Sequence, residues 1–293
     1  MGSDNLDGWI GRTRTTRDTV GPVQVRQLAA TLNEDAHVDN PGSGDLPPGW
    51  HWLFFNPLAA QSLLSPDGHP PRGDFLPPVD LPRRMWAGTR LHWRRAFAIG
   101  STVAKTSTIL DVKHKSGRSG ELVFVTVGHR YADDRGTLLD EEHDIVYRGA
   151  ATEQDKAALS DSAAQVRDGA HAFEREGEHV RRVDADATLL FRYSAVTFNG
   201  HRIHYDADYA RDVESYPGLV VHGPLIATML LDLVRHDVAA GRFIDRFDFR
   251  MLRPTFDISP FHLHATLSET GAEVWSTDNL GRVALSGHAS WHR

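Results

Sequence analysis

The chain of 293 residues contains no cysteine. Without a thiol there is no disulfide framework, no thiolate nucleophile and no thiolate metal site. Long apolar runs are missing as well. The longest, Leu219 to Leu233, is interrupted by His222, Gly223, Pro224 and Asp232, well short of the ~18 uninterrupted apolar residues of a membrane-spanning helix. There is no basic stripe either: the formal charge of −7 is spread along the chain, which argues against a partner held through nucleic-acid phosphates. Lysine is scarce, four of the 32 basic residues. The abundant arginines could hold an anionic ligand locally, although coding bias explains their excess equally well. What is present, 40% hydrophobic and 24% charged residues, is ordinary for a globular chain able to bury a sizeable core. Arg12, Arg14 and Arg17 among threonines have the look of a transit peptide, but Asp4, Asp7, Asp18 and Trp9 oppose it, and a cytoplasmic setting is expected.

Between Ala150 and His179 the composition turns to Ala, Glu, Asp, Gln and Arg, as in an exposed linker or a solvated helix. It divides the chain into a repeat over 1–150, a linker over 151–178 and a repeat over 179–293. The flanking halves look alike. Leu91-His92-Trp93-Arg94 matches Phe247-Asp248-Phe249-Arg250, each heading a series of strand-like segments, which suggests a degenerate two-fold repeat. In the first half Leu122 to Val127 and Ile145 to Tyr147 read as strands, with turns at Lys115-Ser116-Gly117 and Asp134-Arg135-Gly136. In the second half Phe261 to Leu267, Glu273 to Ser276 and Val283 to Ser290 alternate, with turns at Thr270-Gly271 and Leu280-Gly281. Each meander is preceded by an apolar helical candidate. The clearer one runs from Pro224 to Ala240, with proline at its start and Gly241 past its end. Its apolar residues leave little polar surface over the first turns, so a sheet should wrap it. The counterpart is expected over Trp50 to Leu64, with Pro57 inside it.

The residues that can carry chemistry cluster in Asn199-Gly200-His201-Arg202-Ile203-His204-Tyr205-Asp206, followed by Val221-His222-Gly223-Pro224. Three histidines beside a helix N-terminus offer an acid/base that titrates near neutral pH, next to backbone N–H groups able to hold an oxyanion. That pairing suits enolate chemistry. Pro224 has no N–H, so the donors are those of Gly223, Leu225 and Ile226. Asp206 reads equally as an N-cap. His201 and His204 have the spacing of a metal pair, but no third ligand is fixed by spacing and no metal is expected. His262 and His264, on one strand face, are explained by cross-strand packing.

These segments resemble the MaoC-type, or hydratase 2, double-hotdog family, and more closely its branch of mesaconyl-C4-CoA hydratase, itaconyl-CoA hydratase and type 2 3-hydroxyacyl-thioester dehydratases. Trp9-Ile10-Gly11-Arg12, Pro47-Pro48-Gly49-Trp50 and Leu81-Pro82-Arg83-Arg84-Met85-Trp86-Ala87-Gly88 share the resemblance, which covers nearly the whole chain. It implies an α+β double hotdog, two repeats of a long helix wrapped by an antiparallel sheet. The activity implied is the hydration of an enoyl thioester or the reverse dehydration. In the family motif Asp-x-Asn-Pro-x-His the histidine falls on His204, but Asn199 stands at the Asp position, and an amide cannot accept a proton as a carboxylate does. By this likeness His204, Asn199 and Gly223 are catalytic, with Gly223 polarising the thioester. The substrate-binding residues expected are His201, His222, Arg84, Trp86 and Tyr205, with Arg83 an alternative to Arg84 as clamp for a substrate carboxylate. One active site per chain is implied, with the first half shaping the acyl pocket. No cofactor is expected beyond the CoA or acyl carrier of the substrate. The partners expected are that thioester and a second copy of the chain in a homodimer, without nucleic acid or membrane. A general 3-hydroxyacyl-thioester dehydratase, a thioesterase and a non-catalytic acyl-CoA-binding protein remain the competing readings.

Overall fold

Alternation of apolar and polar residues builds ten antiparallel strands. In the first half these are β1 (Thr13–Thr19), β2 (Arg83–Trp93), β3 (Thr102–Gly117), β4 (Gly120–Asp133) and β5 (Gly136–Arg148). The second half supplies β6 (His179–Val183), β7 (Ile244–Met251), β8 (Phe261–Leu267), β9 (Gly271–Thr277) and β10 (Val283–Trp291). All lie in a single sheet of order β1-β3-β4-β5-β2-β7-β10-β9-β8-β6. The order reads the same from either end once each strand of one half is replaced by its counterpart in the other. The halves join where β2 pairs with β7, and there Leu91 lies opposite Phe247. Those two residues head the matched tetrapeptides, so equivalent positions meet across a pseudo-dyad.

The computed structural model describes residues 6–34, 44–117, 120–167 and 177–291. Asp4, part of the transit-peptide argument, and positions 168–176 of the linker lie outside them. The rest of the linker holds helix α2 (Glu153–Arg167), mostly exposed, with Ala163 and Val166 as its buried contacts. Three further helices are α1 (Pro22–Leu32), α3 (Ala187–Val196) and α4 (Gly223–Leu233). Helix α4 continues into a wider π turn, Val234–Val238, before Gly241 adopts φ +76°. Leu225, Ile226, Leu230, Leu231 and Leu233 are buried on it, in one cluster with Phe247, Phe249, Phe261, Leu263, Val274 and Leu285 of the surrounding strands. At ~1.5–3 kcal/mol per buried large aliphatic side chain, this is the main apolar contribution of the second half. Among the described residues no helix is long and apolar enough to cross a membrane.

The helix expected over Trp50 to Leu64 does not form. Only 3-10 turns at Trp50–Leu53 and Gln61–Leu63 occur there. Phe55 adopts φ +61°, outside the helical region, and Pro57 removes a helical donor while biasing Asn56 toward extended backbone. Trp50, Leu53 and Phe54 still pack into the core, but as turns. A smaller cluster, with Ile109, Val125, Val127 and Tyr147 of β3–β5 beneath Leu6 and Val79, covers the outer part of this half.

Candidate active site

Helix α3 is capped by Asp186, whose Oδ1 accepts from the Leu189 N–H at 2.7 Å. It ends near Thr197, where Phe198 turns out of the helix with φ +50°. Asn199 then closes a tight turn, its Oδ1 accepting from the His201 N–H at 3.0 Å. Arg202–His204 form one 3-10 turn. Asp206 stabilises the next: its Oδ1 accepts from the Tyr209 N–H at 2.9 Å and its Oδ2 from Arg202 at 2.7 Å. Capping, one of its two readings from sequence, is what Asp206 does.

His204 is 8% exposed, and its Nδ1 lies 2.7 Å from the carbonyl of Val220. A carbonyl only accepts, so Nδ1 carries the proton and Nε2 keeps its lone pair. Burial pushes this imidazole down to about 4 against the opposing pull of the Val220 carbonyl, so the ring is neutral at physiological pH. It stacks on His222 at 3.7 Å between centroids. His222 is fully buried, reaches Ser194 Oγ through Nε2 at 2.8 Å and precedes helix α4 as its N-cap. Expected from the likeness to meet substrate, it is placed instead to hold His204 and the helix start. On the other side of His204 stands His201, at 5.4 Å, which burial and its imidazole neighbours push down to about 2.

The row of imidazoles extends to a residue that sequence reading missed. His69 lies 4.1 Å from His201, ring to ring. Its Nδ1 is 2.9 Å from Asp67 Oδ2, and its backbone N–H donates to Asp67 Oδ1 at 2.9 Å. Partial burial would raise the Asp67 carboxyl, yet the His69 hydrogen bonds outweigh it and hold the group below the usual carboxylate range. Burial in turn lowers His69, against the pull of Asp67. The Asp67 loop is docked on the motif loop. Arg202 donates its N–H to the Asp67 carbonyl at 2.9 Å and Nη1 to the Pro66 carbonyl at 3.1 Å. Gly68, at φ +88°, lies so close that a Cβ would sit 1.8 Å from the Gly200 oxygen, so only glycine allows the contact. Asp67, His69 and His201 bring potential donor atoms within 4.8 Å of one another. The Asp67–His69 hydrogen bond explains that closeness, and the positive charge of Arg84 bears on both imidazoles, which disfavours a second cation there.

These loops border a cavity of about 520 Å³. Asn199, Tyr205 and Pro224 line it from the second half, and His69, Arg84, Trp86, His143 and Trp52 from the first. Tyr205 donates its hydroxyl to the Gly200 carbonyl at 2.9 Å. Trp86 Nε1 donates to the Gly88 carbonyl at 2.9 Å, and the Trp86 ring packs edge-on against Trp52 and Phe249. Gly223 starts helix α4 beside that ring, where a Cβ would lie 3.8 Å from it. Of the donors expected at this helix start, Ile226 is already engaged with the His222 carbonyl at 3.1 Å, which leaves Gly223 and Leu225. The two candidate clamps separate clearly. Arg83 donates to the Tyr216 hydroxyl at 2.5 Å and faces Glu214 at 3.7 Å, whereas Arg84 opens on the cavity with no carboxylate in ion-pair range among the described residues. Nothing in the sequence singled out Asp67-Gly68-His69. The segment lies in a proline- and glycine-rich loop without periodicity, and an Asp and His two residues apart are a weak signal alone. A smaller cavity of about 190 Å³, bordered by Asp45, Arg235 and Arg242, contains none of these residues.

A conserved hypothetical protein of Mycobacterium tuberculosis described as a double hotdog superposes with a TM-score of 0.56, at 14% identity and over 96% of each chain. A MaoC-like dehydratase from Phytophthora capsici does so with 0.71, at 13% identity, over 99% of this chain and 98% of that one. The fold is therefore the MaoC-like double hotdog, with one long helix where the sequence led us to expect two. Mesaconyl-C4-CoA hydratase of Chloroflexus aurantiacus is 42% identical over 288 residues, 98% of either chain. The profile of the hydroxyacyl-thioester dehydratase type 2 family matches residues 49–257. The chain belongs to that family and is an enzyme of the hydro-lyase type.

Proposed function

We propose that this enzyme reversibly hydrates the double bond of an enoyl-CoA to give a 3-hydroxyacyl-CoA, with a short branched dicarboxylic acyl group such as mesaconyl-C4 or itaconyl. The observation that carries this reading is the meeting, on one cavity of about 520 Å³, of the Asn199 loop, the start of helix α4 and Arg84, which has no carboxylate in ion-pair range among the described residues. That size suits a short acyl group. The thioester oxygen faces the N–H groups of Gly223 and Leu225, which stabilise the enolate with the help of the helix dipole. His204, its tautomer set by Val220, anchors the row of imidazoles that reaches the cavity; an imidazole of that row acts on the attacking water, and the Asn199 amide orients the water. The first half supplies the acyl wall, with Trp86 bordering the substrate and Arg84 as a fork for its free carboxylate, while Tyr205 borders the substrate from the second half. Water provides every atom added and no net oxidation occurs, so the chemistry requires no redox group. The 42% identity to mesaconyl-C4-CoA hydratase supports this substrate class. The family match also supports a general 3-hydroxyacyl-thioester dehydratase, whose substrate would leave Arg84 without a partner.

Incubation with crotonyl-, mesaconyl-C4- and itaconyl-CoA tests the proposal. A hydratase bleaches the conjugated enoyl thioester without releasing thiol, and the dicarboxylic substrates should be preferred. Thiol release from a saturated acyl-CoA identifies a thioesterase, and binding without turnover a non-catalytic protein. We further propose a cytoplasmic homodimer. The outer strands β1 and β6, each paired on a single side, support self-association, and light scattering on the eluting protein measures it.

A further inference from the structure

The motif loop presents an amide, Asn199, where the family pattern has a carboxylate, and that amide oxygen is engaged by the His201 N–H at 3.0 Å. Resting on the hydratase reading above, we propose that His69, oriented by Asp67, is the catalytic acid/base, its Nε2 taking the proton from the attacking water and returning it to Cα. This moves to His69 the role that the sequence assigns to His204.

Position is the first ground. His69 lines the cavity together with Asn199, Arg84 and Trp86, whereas His204 is not among the lining side chains. Tautomer is the second. The Asp67 carboxylate accepts from His69 Nδ1 at 2.9 Å, so the proton resides there and Nε2 carries a lone pair, with no protein partner among the described residues. Charge is the third. An imidazolium at His69 would face a carboxylate within hydrogen-bond distance. At His204 it would face a neutral carbonyl and the stacked ring of His222, without compensation in a buried place. Burial lowers the His69 imidazole, and the Arg84 and Arg72 cations act in the same direction against Asp67, which favours the neutral ring that can accept. Rigidity is the fourth, because the Gly68–Gly200 contact and the two Arg202 hydrogen bonds fix the loop against the motif.

The step balances. The water oxygen bonds to Cβ as one of its O–H bonds breaks. That proton passes to His69 Nε2, and the π pair moves through Cα onto the thioester oxygen as an enolate. When the carbonyl re-forms, Cα takes the same proton and His69 is neutral again. The second O–H of the water survives as the product hydroxyl, and His204 supports the step from behind, through its contact with His201, which packs against His69.

Turnover of crotonyl-CoA and mesaconyl-C4-CoA by the full chain and its variants provides the test. Replacing a general base commonly costs ~100- to 10,000-fold, so His69→Ala should lower kcat in that range, with its melting temperature unchanged, and added free imidazole should restore part of the rate. Asp67→Asn should lower kcat and move the acid limb of the kcat/KM profile to lower pH, because the imidazolium loses its carboxylate. A His69→Ala enzyme within about threefold of wild type overturns the assignment while leaving the hydratase reading intact. A loss in His69→Ala and His69→Gln alike that imidazole does not relieve, with an Asp67→Asn profile that does not move, overturns it as a structural effect. Wild-type turnover abolished by a chelator and restored by zinc overturns it in favour of a metal held by Asp67, His69 and His201. Failure of the wild type to hydrate either substrate removes the hydratase reading and this assignment together.

Discussion

The two halves share a strand order and differ in what their strands enclose. Strands β7 to β10 close on helix α4, apolar nearly all round. Strands β2 to β5 close on two short turns and part of a cavity of about 520 Å³. Two of the buried carboxylates, Glu141 in the first half and Asp232 in the second, are held by different means. Burial raises Asp232 on α4 to about 6, against the pull of Arg235. Burial would raise Glu141 on β5 too, but His51 at 3.4 Å and the imidazoles of His129 and His143 outweigh it and hold the carboxyl well below the usual range. Its oxygens accept from Trp52 Nε1 at 3.1 Å and the Tyr131 hydroxyl at 2.8 Å. Both halves are packed, and the first adds a hydrogen-bonded carboxylate behind Trp52, which lines the cavity.

The largest expected effect tests which half carries the proton transfer. His69→Ala in the first half should lose ~100- to 10,000-fold in kcat and His204→Ala in the second clearly less; the reverse order would return the proton transfer to the second half. The buried carboxylates come next. Removing one partner of a buried charged cluster costs ~3–5 kcal/mol, so Glu141→Gln should lower the urea midpoint strongly at neutral pH. Asp232→Asn should not. Because the Asp232 carboxyl is raised from 3.8 to about 6 in the folded protein, the native state binds the extra proton. Its stabilisation is complete below pH ~4 and is lost as pH rises through ~6, by on the order of 3 kcal/mol. Asp232→Asn should flatten that decline, and an unchanged slope would show the carboxyl to be unperturbed.

Packing separates the halves in the same manner. Leu230→Ala inside α4 should cost ~2–5 kcal/mol, whereas Leu64→Ala on the cavity wall should cost under ~1 kcal/mol, since open space already adjoins it. Equal losses in chemical denaturation would mean that the first half is packed as tightly as the second. Arg84→Met should raise KM for mesaconyl-C4-CoA by ~10- to 100-fold, from the ~1.5–3 kcal/mol of a charged hydrogen bond, and leave crotonyl-CoA unaffected. Smallest is Asp206→Ala, which should remove ~1 kcal/mol of capping with little change in kcat.

Much of this fold was legible because its signals are local. The Pro224 start, the apolar run and Gly241 identify α4, and the Asp134-Arg135-Gly136 and Thr270-Gly271 turns separate strands of period two. The likeness of Leu91-His92-Trp93-Arg94 to Phe247-Asp248-Phe249-Arg250 anticipated the pseudo-dyad. The first-half helix was misread because Trp50 to Leu64 is apolar enough for one, while Pro57 and the left-handed Phe55 forbid it. Hydrophobicity brings Trp50, Leu53 and Phe54 into the core, leaves Leu58 and Leu63 exposed, and does not make the backbone regular. At the site, the motif loop was legible as a cluster of histidines and glycines, yet which of them face the cavity was not.

Residue types and their spacing thus determined the strands and helix α4 with its proline start, and the family resemblance of the sequence supplied the reaction class. Tertiary structure alone decided that His222 lies buried beneath His204, that Arg84 and not Arg83 opens on the cavity, and that Asp67 and His69 join the motif loop. The reason is physical. Periodicity and capping act over a few residues and are written in the local chain, whereas the partner of a side chain across a cavity is set by strand register and loop docking, which no local pattern encodes.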